Sequence, residues 1–263
     1  MNPPKNCLLC WTSRFWSTIT DAAFVVKQRG RSRSRRAVAL GEGGFTLIEL
    51  LVVIAIIATI AAFAVPALTS ALTKGQMTGT VNNARQLYLA GYQMALDGST
   101  NSDANLAWPG DYSSGVTTLQ DYCTKLVAND YLKASDLPKI LSAPGATVTA
   151  TSSGTGSSTT VTLSGNSGLK VYPVTAADGS NVIFAVTSNY TYDTDFSAST
   201  AVPFGDKGFV VVRKGGDAAV LRKNNAKATT GQEASFESLV GKKPGENQGT
   251  VTAGDPTGVL KQP

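Results

Sequence analysis

The chain has 263 residues, a formal net charge of +5 and no histidine. Residues 1–44 hold eight basic and two acidic residues, a net charge of +6, whereas the remaining residues hold 15 basic and 16 acidic residues, a net charge of −1. The absence of histidine excludes Ser-His-Asp and Cys-His catalysis and histidine-bearing zinc sites. Because the basic excess belongs to the first segment, we expect no nucleic-acid partner for the rest of the chain.

The basic N-terminal segment, residues 1–44, precedes a long apolar stretch. Its densest part is Arg31-Ser32-Arg33-Ser34-Arg35-Arg36. An excess of Lys and Arg marks the cytoplasmic side of a membrane segment. We therefore expect the N-terminus in the cytoplasm and the C-terminal part of the chain outside.

The apolar stretch predicts a membrane-spanning helix. Leu50–Leu72 contains 23 residues and no charge, and a bilayer core about 30 Å thick needs about 20 helical residues. A buried core helix is the alternative, but core helices usually carry a polar stripe, which this stretch lacks. Glu49 adjoins the stretch, where a carboxylate costs about 2.5–3.5 kcal/mol at the membrane centre and less near its edge, so we expect it to have a partner and a function.

The residues before Glu49 suggest where that partner comes from. Gly43-Gly44 is a flexible pair of small residues that a peptidase can enter. Cleavage after Gly44 would create an α-amino group on Phe45, one helical turn from Glu49. Residues four apart share a face of a helix, so the ammonium and the carboxylate could pair within one chain or between neighbouring chains.

The helix is predicted to continue beyond the membrane, over residues 45–97 in all. One apolar face follows spacings of three and four residues, and its members are Met77, Val81, Ala84, Tyr88, Gly91 and Ala95. Asp97-Gly98 is predicted to end the helix, with Gly98 as a left-handed cap. Pro66 is expected to kink it, and Gly75 and Gly79 to bend or locally melt it.

Residues 98–223 are predicted to form an α+β domain, with an antiparallel sheet laid on the long helix. Thr118 and Asp121 resemble a capping box that opens a helix reaching about Asn129, and a second short helix follows Ser135. Residues 145–168 alternate loosely and predict a hairpin. Further strands are expected at Leu169–Val174, Val182–Tyr192, Gly208–Arg213 and Ala218–Arg222.

The end of the chain and its cysteines offer little chemistry. Residues 224–263 are polar and contain few large apolar residues, which predicts a disordered or flexible tail. Cys7 and Cys10 fall in the N-terminal segment, so the rest of the chain has only Cys123, which cannot form a disulfide within it. Cys123 falls on the apolar face of its predicted helix, and a core position is favoured over a reactive thiol.

The residues from Gly44 to Ala58 resemble the N-terminal signature of type IV pilins and type II secretion pseudopilins. The match covers Gly44-Phe45-Thr46-Leu47-Ile48-Glu49 and the apolar run after it, and Pro66 falls where many members kink their helix. The resemblance implies that a prepilin peptidase cleaves after Gly44 and methylates Phe45, and that Glu49 matches a neighbour's amino terminus during assembly. The leader is longer than the family's, so either the true start lies downstream or the leader is extended.

The resemblance also raises calcium as a ligand, because some major pseudopilins bind it in a C-terminal loop. Asp193, Asp195 and Asp206, with Asn189 and Ser197, supply oxygen ligands of the kind that Ca²⁺ prefers. The spacing matches no known calcium loop, and acidic residues in an exposed loop are usually solvated. The first interpretation is therefore that no cofactor or metal is bound, with these residues as calcium candidates.

The sequence thus predicts a structural subunit and no enzyme. Its expected partners are the peptidase and methyltransferase, copies of itself and related pilins in a helical filament, an inner-membrane assembly platform and the lipid bilayer. The filament is a secretion pseudopilus or a type IV pilus; the lack of a C-terminal cysteine pair slightly favours the pseudopilus. The alternative is a monomeric, signal-anchored extracytoplasmic binding protein, which would retain residues 1–44.

Overall fold

The computed structural model describes residues 44–196 and 201–262, and the chain divides into two units between Val53 and Ile54. The predictions made for residues 1–43 lie outside the described residues. The helices are α1 (Leu47–Asn101), α2 (Leu119–Ala128), α3 (Leu137–Leu141) and α4 (Glu233–Leu239). The strands are β1 (Val148–Ser153), β2 (Thr160–Gly165), β3 (Leu169–Val171), β4 (Ile183–Thr187), β5 (Gly208–Arg213) and β6 (Ala218–Arg222).

Helix α1 buries the apolar face that the sequence predicts. All six residues of that face, Met77, Val81, Ala84, Tyr88, Gly91 and Ala95, are buried. Gly91 lies against Tyr122 and Phe184, where a Cβ atom would come within 2.2 Å of the tyrosine hydroxyl oxygen. The helix therefore approaches α2 and β4 closely at a residue without a side chain.

The predicted end of α1 is wrong. The helix runs through Asp97 and Gly98 to Asn101, and Gly98 is buried inside it. A Cβ atom on Gly98 would lie 1.6 Å from the carbonyl oxygen of Leu106. Glycine is needed here so that the returning loop can pass close to the helix.

The described helix continues through the residues where the sequence predicts bends or local melting. Gly75 and Gly79 are helical, with nothing near the position of a Cβ atom, so the expected local melting there is wrong. Pro66 also lies inside the helix. Proline lacks the N–H that would bond to the preceding turn, and a kink at Pro66 stays a prediction.

The short helices follow their local signals. The Thr118 hydroxyl accepts a hydrogen bond from the Asp121 N–H at 3.2 Å, and the Asp121 carboxylate accepts one from the Thr118 N–H at 2.9 Å. This reciprocal pair is the predicted capping box. Burial raises the pKa of Asp121, but hydrogen bonds from Thr117 and Thr118 outweigh it and lower the pKa.

Two antiparallel sheets complete the α+β fold, which confirms the predicted class. Strands β1 and β2 form the expected hairpin, and the larger sheet has the order β3-β4-β5-β6. The β5–β6 hairpin has the predicted bounds, with Gly208 paired to Arg222. Strands β3 and β4 are shorter than predicted, and a bulge between Ile183 and Ala185 interrupts the β4–β5 register.

The larger sheet is covered on both faces, so every residue of β4 and β5 is buried. On one face α1 contributes to a core with Phe184, Val210 and Val212. On the other face Phe209 and Val211 pack with aromatic and aliphatic residues from the C-terminal segment. Continuous apolar runs are typical of strands buried on both faces, rather than of strands with one wet face.

The C-terminal segment, residues 224–262, covers the second face of the larger sheet. The sequence predicts a disordered tail for this segment. In place of a disordered tail, residues 224–262 contain α4, and Phe236, Val240 and Leu260 are buried. Leu260 pairs with Val171 in an isolated antiparallel bridge. The segment is polar in composition, yet Phe236 and Val240 meet a sheet face that must be removed from water. Leu260 instead joins the core on the side of α1. This corrects the prediction.

A buried charge pair fastens this segment to β3. The Lys170 ammonium donates to the Asp255 carboxylate at 2.5 Å, and the Tyr172 hydroxyl donates to the other carboxylate oxygen at 2.7 Å. Burial lowers the pKa of Lys170, and the charge of Asp255 opposes that shift. Because the lysine is almost fully buried, it depends on Asp255 to remain charged inside the domain.

We predict that Asp255→Ala lowers the free energy of unfolding by about 3 kcal/mol, because it leaves a buried ammonium without its partner. Urea unfolding of the full chain in detergent, followed by tryptophan fluorescence, measures the change. The matched control is Asp195→Ala, which breaks an exposed pair with Lys227 and should cost about 1 kcal/mol or less. Equal losses in the two variants would contradict the assignment.

Candidate functional site

The candidate site begins at the N-terminal end of α1. Gly44, Phe45 and Thr46 precede the helix, and all three are exposed. The Thr46 N–H and the Thr46 hydroxyl both donate to Glu49 Oε2, each at 2.8 Å, and the Glu49 N–H donates to Thr46 Oγ1 at 3.2 Å. This is a capping box, in which two backbone N–H groups at the helix start are satisfied reciprocally.

The capping box changes the expected geometry between Phe45 and Glu49. The helix was predicted to include Phe45, with Glu49 one turn away on the same face, but α1 begins at Leu47. In the described chain Glu49 bonds to Thr46, the residue next to Phe45. The sequence carries the signal for this arrangement in Thr46-x-x-Glu49, which has the spacing of a capping box.

The carboxylate of Glu49 is therefore held at the helix start rather than left unsatisfied. Orphan N–H groups at a helix N-terminus carry partial positive charge, and an acidic side chain there is favourable. Such bonds offset part of the cost of a carboxylate at the edge of a membrane. They also hold the Glu49 carboxylate at Thr46, the residue that follows Phe45. Cleavage after Gly44 would place a new ammonium on the Phe45 nitrogen.

The segment that follows is apolar on every side and has no cover from the described domain. From Ile54 to Leu72 its large side chains are exposed, and Phe63 is 84% exposed. Helix α1 is the one helix of the described residues that is long and apolar enough to cross a bilayer. Water does not favour such a surface, whereas lipid or neighbouring apolar helices do.

The calcium candidates do not converge in the described residues. Asp193 accepts a hydrogen bond from the Ala228 N–H at 2.8 Å. Asp195 pairs with Lys227 at 3.3 Å, and Asp206 pairs with Lys223 at 3.1 Å. Over the described ranges no group of three or more potential metal-ligating side chains is present, so these carboxylates bind the C-terminal segment instead of one another.

Cys123 occupies the core position that its helical spacing predicts. It is fully buried on α2, and burial raises the pKa of its thiol to about 12. Because the thiolate is the reactive form, this side chain is poorly suited to redox or nucleophilic chemistry.

We predict that Cys123 resists alkylation by iodoacetamide in the folded chain at pH 8 and reacts fully in urea. A thiol with a pKa near 12 is almost entirely protonated at pH 8, and reactivity should rise only as the pH approaches that pKa. Peptide mapping by mass spectrometry separates Cys123 from Cys7 and Cys10. Rapid labelling of Cys123 at pH 8 without urea would show that the thiol is accessible and contradict its packing.

Comparisons with known proteins bear on the same residues. Residues 41–65 match the model of the prokaryotic N-terminal methylation motif. The chain is also 32% identical, over 79 residues, to the type IV major fimbrial protein FimA of Dichelobacter nodosus. That match covers 28% of this chain and 51% of the fimbrial protein, so the chain spans about half the length of the curated relative it matches. No solved structure matches the chain.

The class of protein follows from the fold and the motif together: an α+β domain built on a helix that begins with a methylation motif and an exposed apolar segment. The motif and the fimbrial relative support the type IV pilin and pseudopilin family. The family resemblance found in the sequence is confirmed. Members of this family are structural proteins rather than enzymes.

Proposed function

We propose that the chain is a prepilin-like structural subunit that is anchored in the bacterial inner membrane and polymerises into a filament. The observation that carries the proposal is the methylation motif over residues 41–65, followed directly by an apolar helix with no cover. A helix of this kind can exchange lipid for the helices of neighbouring subunits. The domain built on its upper part is then displayed outside the membrane.

Processing is the first step of the proposed mechanism. A prepilin peptidase cleaves the peptide bond between Gly44 and Phe45, which removes residues 1–44, and a methyl group is added to the Phe45 nitrogen. The exposed, non-helical backbone at Gly44 and Phe45 suits a protease, because such enzymes need an extended substrate chain. The positive charge of residues 1–44 keeps this end in the cytoplasm.

Assembly is the second step, and Glu49 is its central residue. In the unassembled chain the carboxylate bonds to Thr46. In the filament the Glu49 carboxylate pairs with the methylated ammonium of a neighbouring subunit. Its charge is therefore still neutralised when apolar helices surround it. Because a charge without a partner is costly in that environment, the pair favours one register between subunits over others.

The upper part of α1 offers a second surface for contacts between subunits. Leu89, Tyr92 and Leu96 are spaced by three and four residues, and each is between 43% and 54% exposed. Leu89 and Tyr92 lie beside the β5–β6 turn at Lys214, and this apolar stripe remains open to contact on its exposed side. It supports packing between helices of neighbouring subunits above the membrane segment.

The filament we propose is a type II secretion pseudopilus or a type IV pilus. The fimbrial relative belongs to the second group by name, whereas the lack of a cysteine pair after residue 123 favours the first. The assembly platform of the inner membrane and related pilins are the proposed partners in either case.

Processing predicts a defined N-terminus for the protein purified from its native membrane. We expect intact mass and N-terminal sequencing to show a chain that begins at Phe45 and carries one added methyl group. Retention of residues 31–36 would overturn the proposal in favour of a monomeric, signal-anchored binding protein, because such a protein needs neither the cleavage nor Glu49.

The proposed assembly role predicts that the loss of the Glu49 carboxylate affects polymerisation but not membrane insertion. We expect Glu49→Ala to insert and to be cleaved normally but to lower the filament yield at least about ten-fold, because a desolvated charge pair is worth about 2 kcal/mol or more. Sheared filaments and membrane-bound subunits are quantified by immunoblot. The matched control is Glu233→Ala, a half-exposed carboxylate on α4, which should leave the yield unchanged. A normal filament yield from Glu49→Ala would contradict the proposed role of Glu49 in assembly.

A further inference from the structure

A cavity of about 710 Å³ lies beside α1 where the apolar segment ends, and its lining combines polar side chains with the apolar Met77, Val220 and Leu221. The helix contributes Thr69, Ser70, Thr73, Lys74 and Thr78 to its lining, and the domain contributes Lys207 and Arg222. Three cations line this cavity, and no carboxylate does. We call it the basic cavity.

The three cations of the basic cavity are available to a ligand. Lys74, Lys207 and Arg222 are exposed, and none of them takes part in the salt bridges found among the described residues. The Lys207 ammonium donates to the Thr73 hydroxyl at 3.4 Å, which holds it over the helix. The neighbouring Lys223 is different, because Asp206 neutralises it.

The geometry of α1 determines where the basic cavity would lie relative to the membrane. The uncharged stretch Leu50–Leu72 is about 34 Å long, enough for the hydrocarbon core of a bilayer, and Lys74 is the first charged residue after it. The polar layer on each side of a bilayer is about 5–7 Å thick, and residues 73–77 rise by about 6 Å. In the anchored subunit the part of the cavity at Lys74 therefore lies at the level of the lipid headgroups on the outer side of the membrane, and the part at Thr69 and Ser70 reaches the end of the hydrocarbon core.

We infer that the basic cavity binds the phosphate of an anionic phospholipid headgroup in that leaflet. Ammonium and guanidinium groups are the usual partners of phosphate oxygens. The hydroxyl groups of Thr69, Thr73 and Thr78 already donate to helix carbonyl oxygens, so the three cations carry the binding. The exposed Val220 at the rim suits contact with the upper acyl chain. The cavity would seat the domain on the membrane until assembly removes the subunit from lipid. This inference rests on the proposed membrane anchoring of α1, but not on polymerisation.

The test uses the full chain purified in detergent and equilibrated with equal amounts of phosphatidylglycerol and phosphatidylcholine. Native mass spectrometry measures which lipid each chain retains. We expect a preference for phosphatidylglycerol that falls about five-fold for each charge removed from the cavity, in Lys207→Gln and in the triple variant Lys74→Gln, Lys207→Gln, Arg222→Gln. Replacing the two lysines with arginine should preserve the preference.

A matched triple variant controls for total charge and for the basic N-terminal segment. Lys133, Lys139 and Lys261 are exposed cations outside the cavity, and changing them to glutamine should leave the lipid preference unchanged. An equal loss in both triple variants would overturn the inference. Resistance of each variant to alkaline carbonate extraction reports anchoring separately, so a failed anchor is distinguished from a failed lipid site.

Two further outcomes would assign the basic cavity to another ligand. Displacement of phosphatidylglycerol by millimolar inorganic phosphate at constant ionic strength would indicate a site for free phosphate. A triple variant that keeps its preference for anionic lipid but loses cross-linking between subunits would indicate a contact between copies of the chain. Either result would overturn the headgroup assignment.

Discussion

The structure depends on one constraint: a single helix meets two different environments. Up to Leu72 the large apolar side chains of α1 are exposed, and from Met77 onward one face of the same helix is buried in the domain. No loop or break separates the two parts in the described residues. The change of environment is made by the sequence pattern alone, from apolar on all sides to apolar on one face.

The domain is organised by the need to cover a sheet on both faces. Helix α1 covers one face, and the C-terminal segment covers the other with Phe236, Val240 and neighbouring residues. The C-terminal segment has few apolar side chains, and the buried contact between Lys170 and Asp255 attaches it to β3. A segment of polar composition can therefore be part of the core when a few of its side chains face an apolar sheet.

At the other end of α1, Glu49 connects local structure with the proposed assembly. The capping box with Thr46 satisfies both the helix start and the carboxylate. In the proposed filament the same oxygen atoms accept a new partner of opposite charge, so the acid is compensated before and after assembly. In the proposed anchored subunit the basic cavity extends the same principle, since its three cations would meet anionic headgroups.

The sequence by itself determined the features that depend on local pattern. The apolar run, the methylation motif, the face from Met77 to Ala95, the capping box at Thr118 and the β5–β6 hairpin are each encoded by neighbouring residues. Tertiary structure decided the rest. Gly98 lies inside the helix rather than at its end, and its missing side chain lets Leu106 pass against it, a contact that no local signal reveals. The C-terminal segment is ordered because Phe209 and Val211 face it. The continuous apolar run of β5 indicates that both faces of the strand are covered, since alternate side chains of a strand point to opposite faces. Which segment covers the second face depends on contacts between residues distant in the chain.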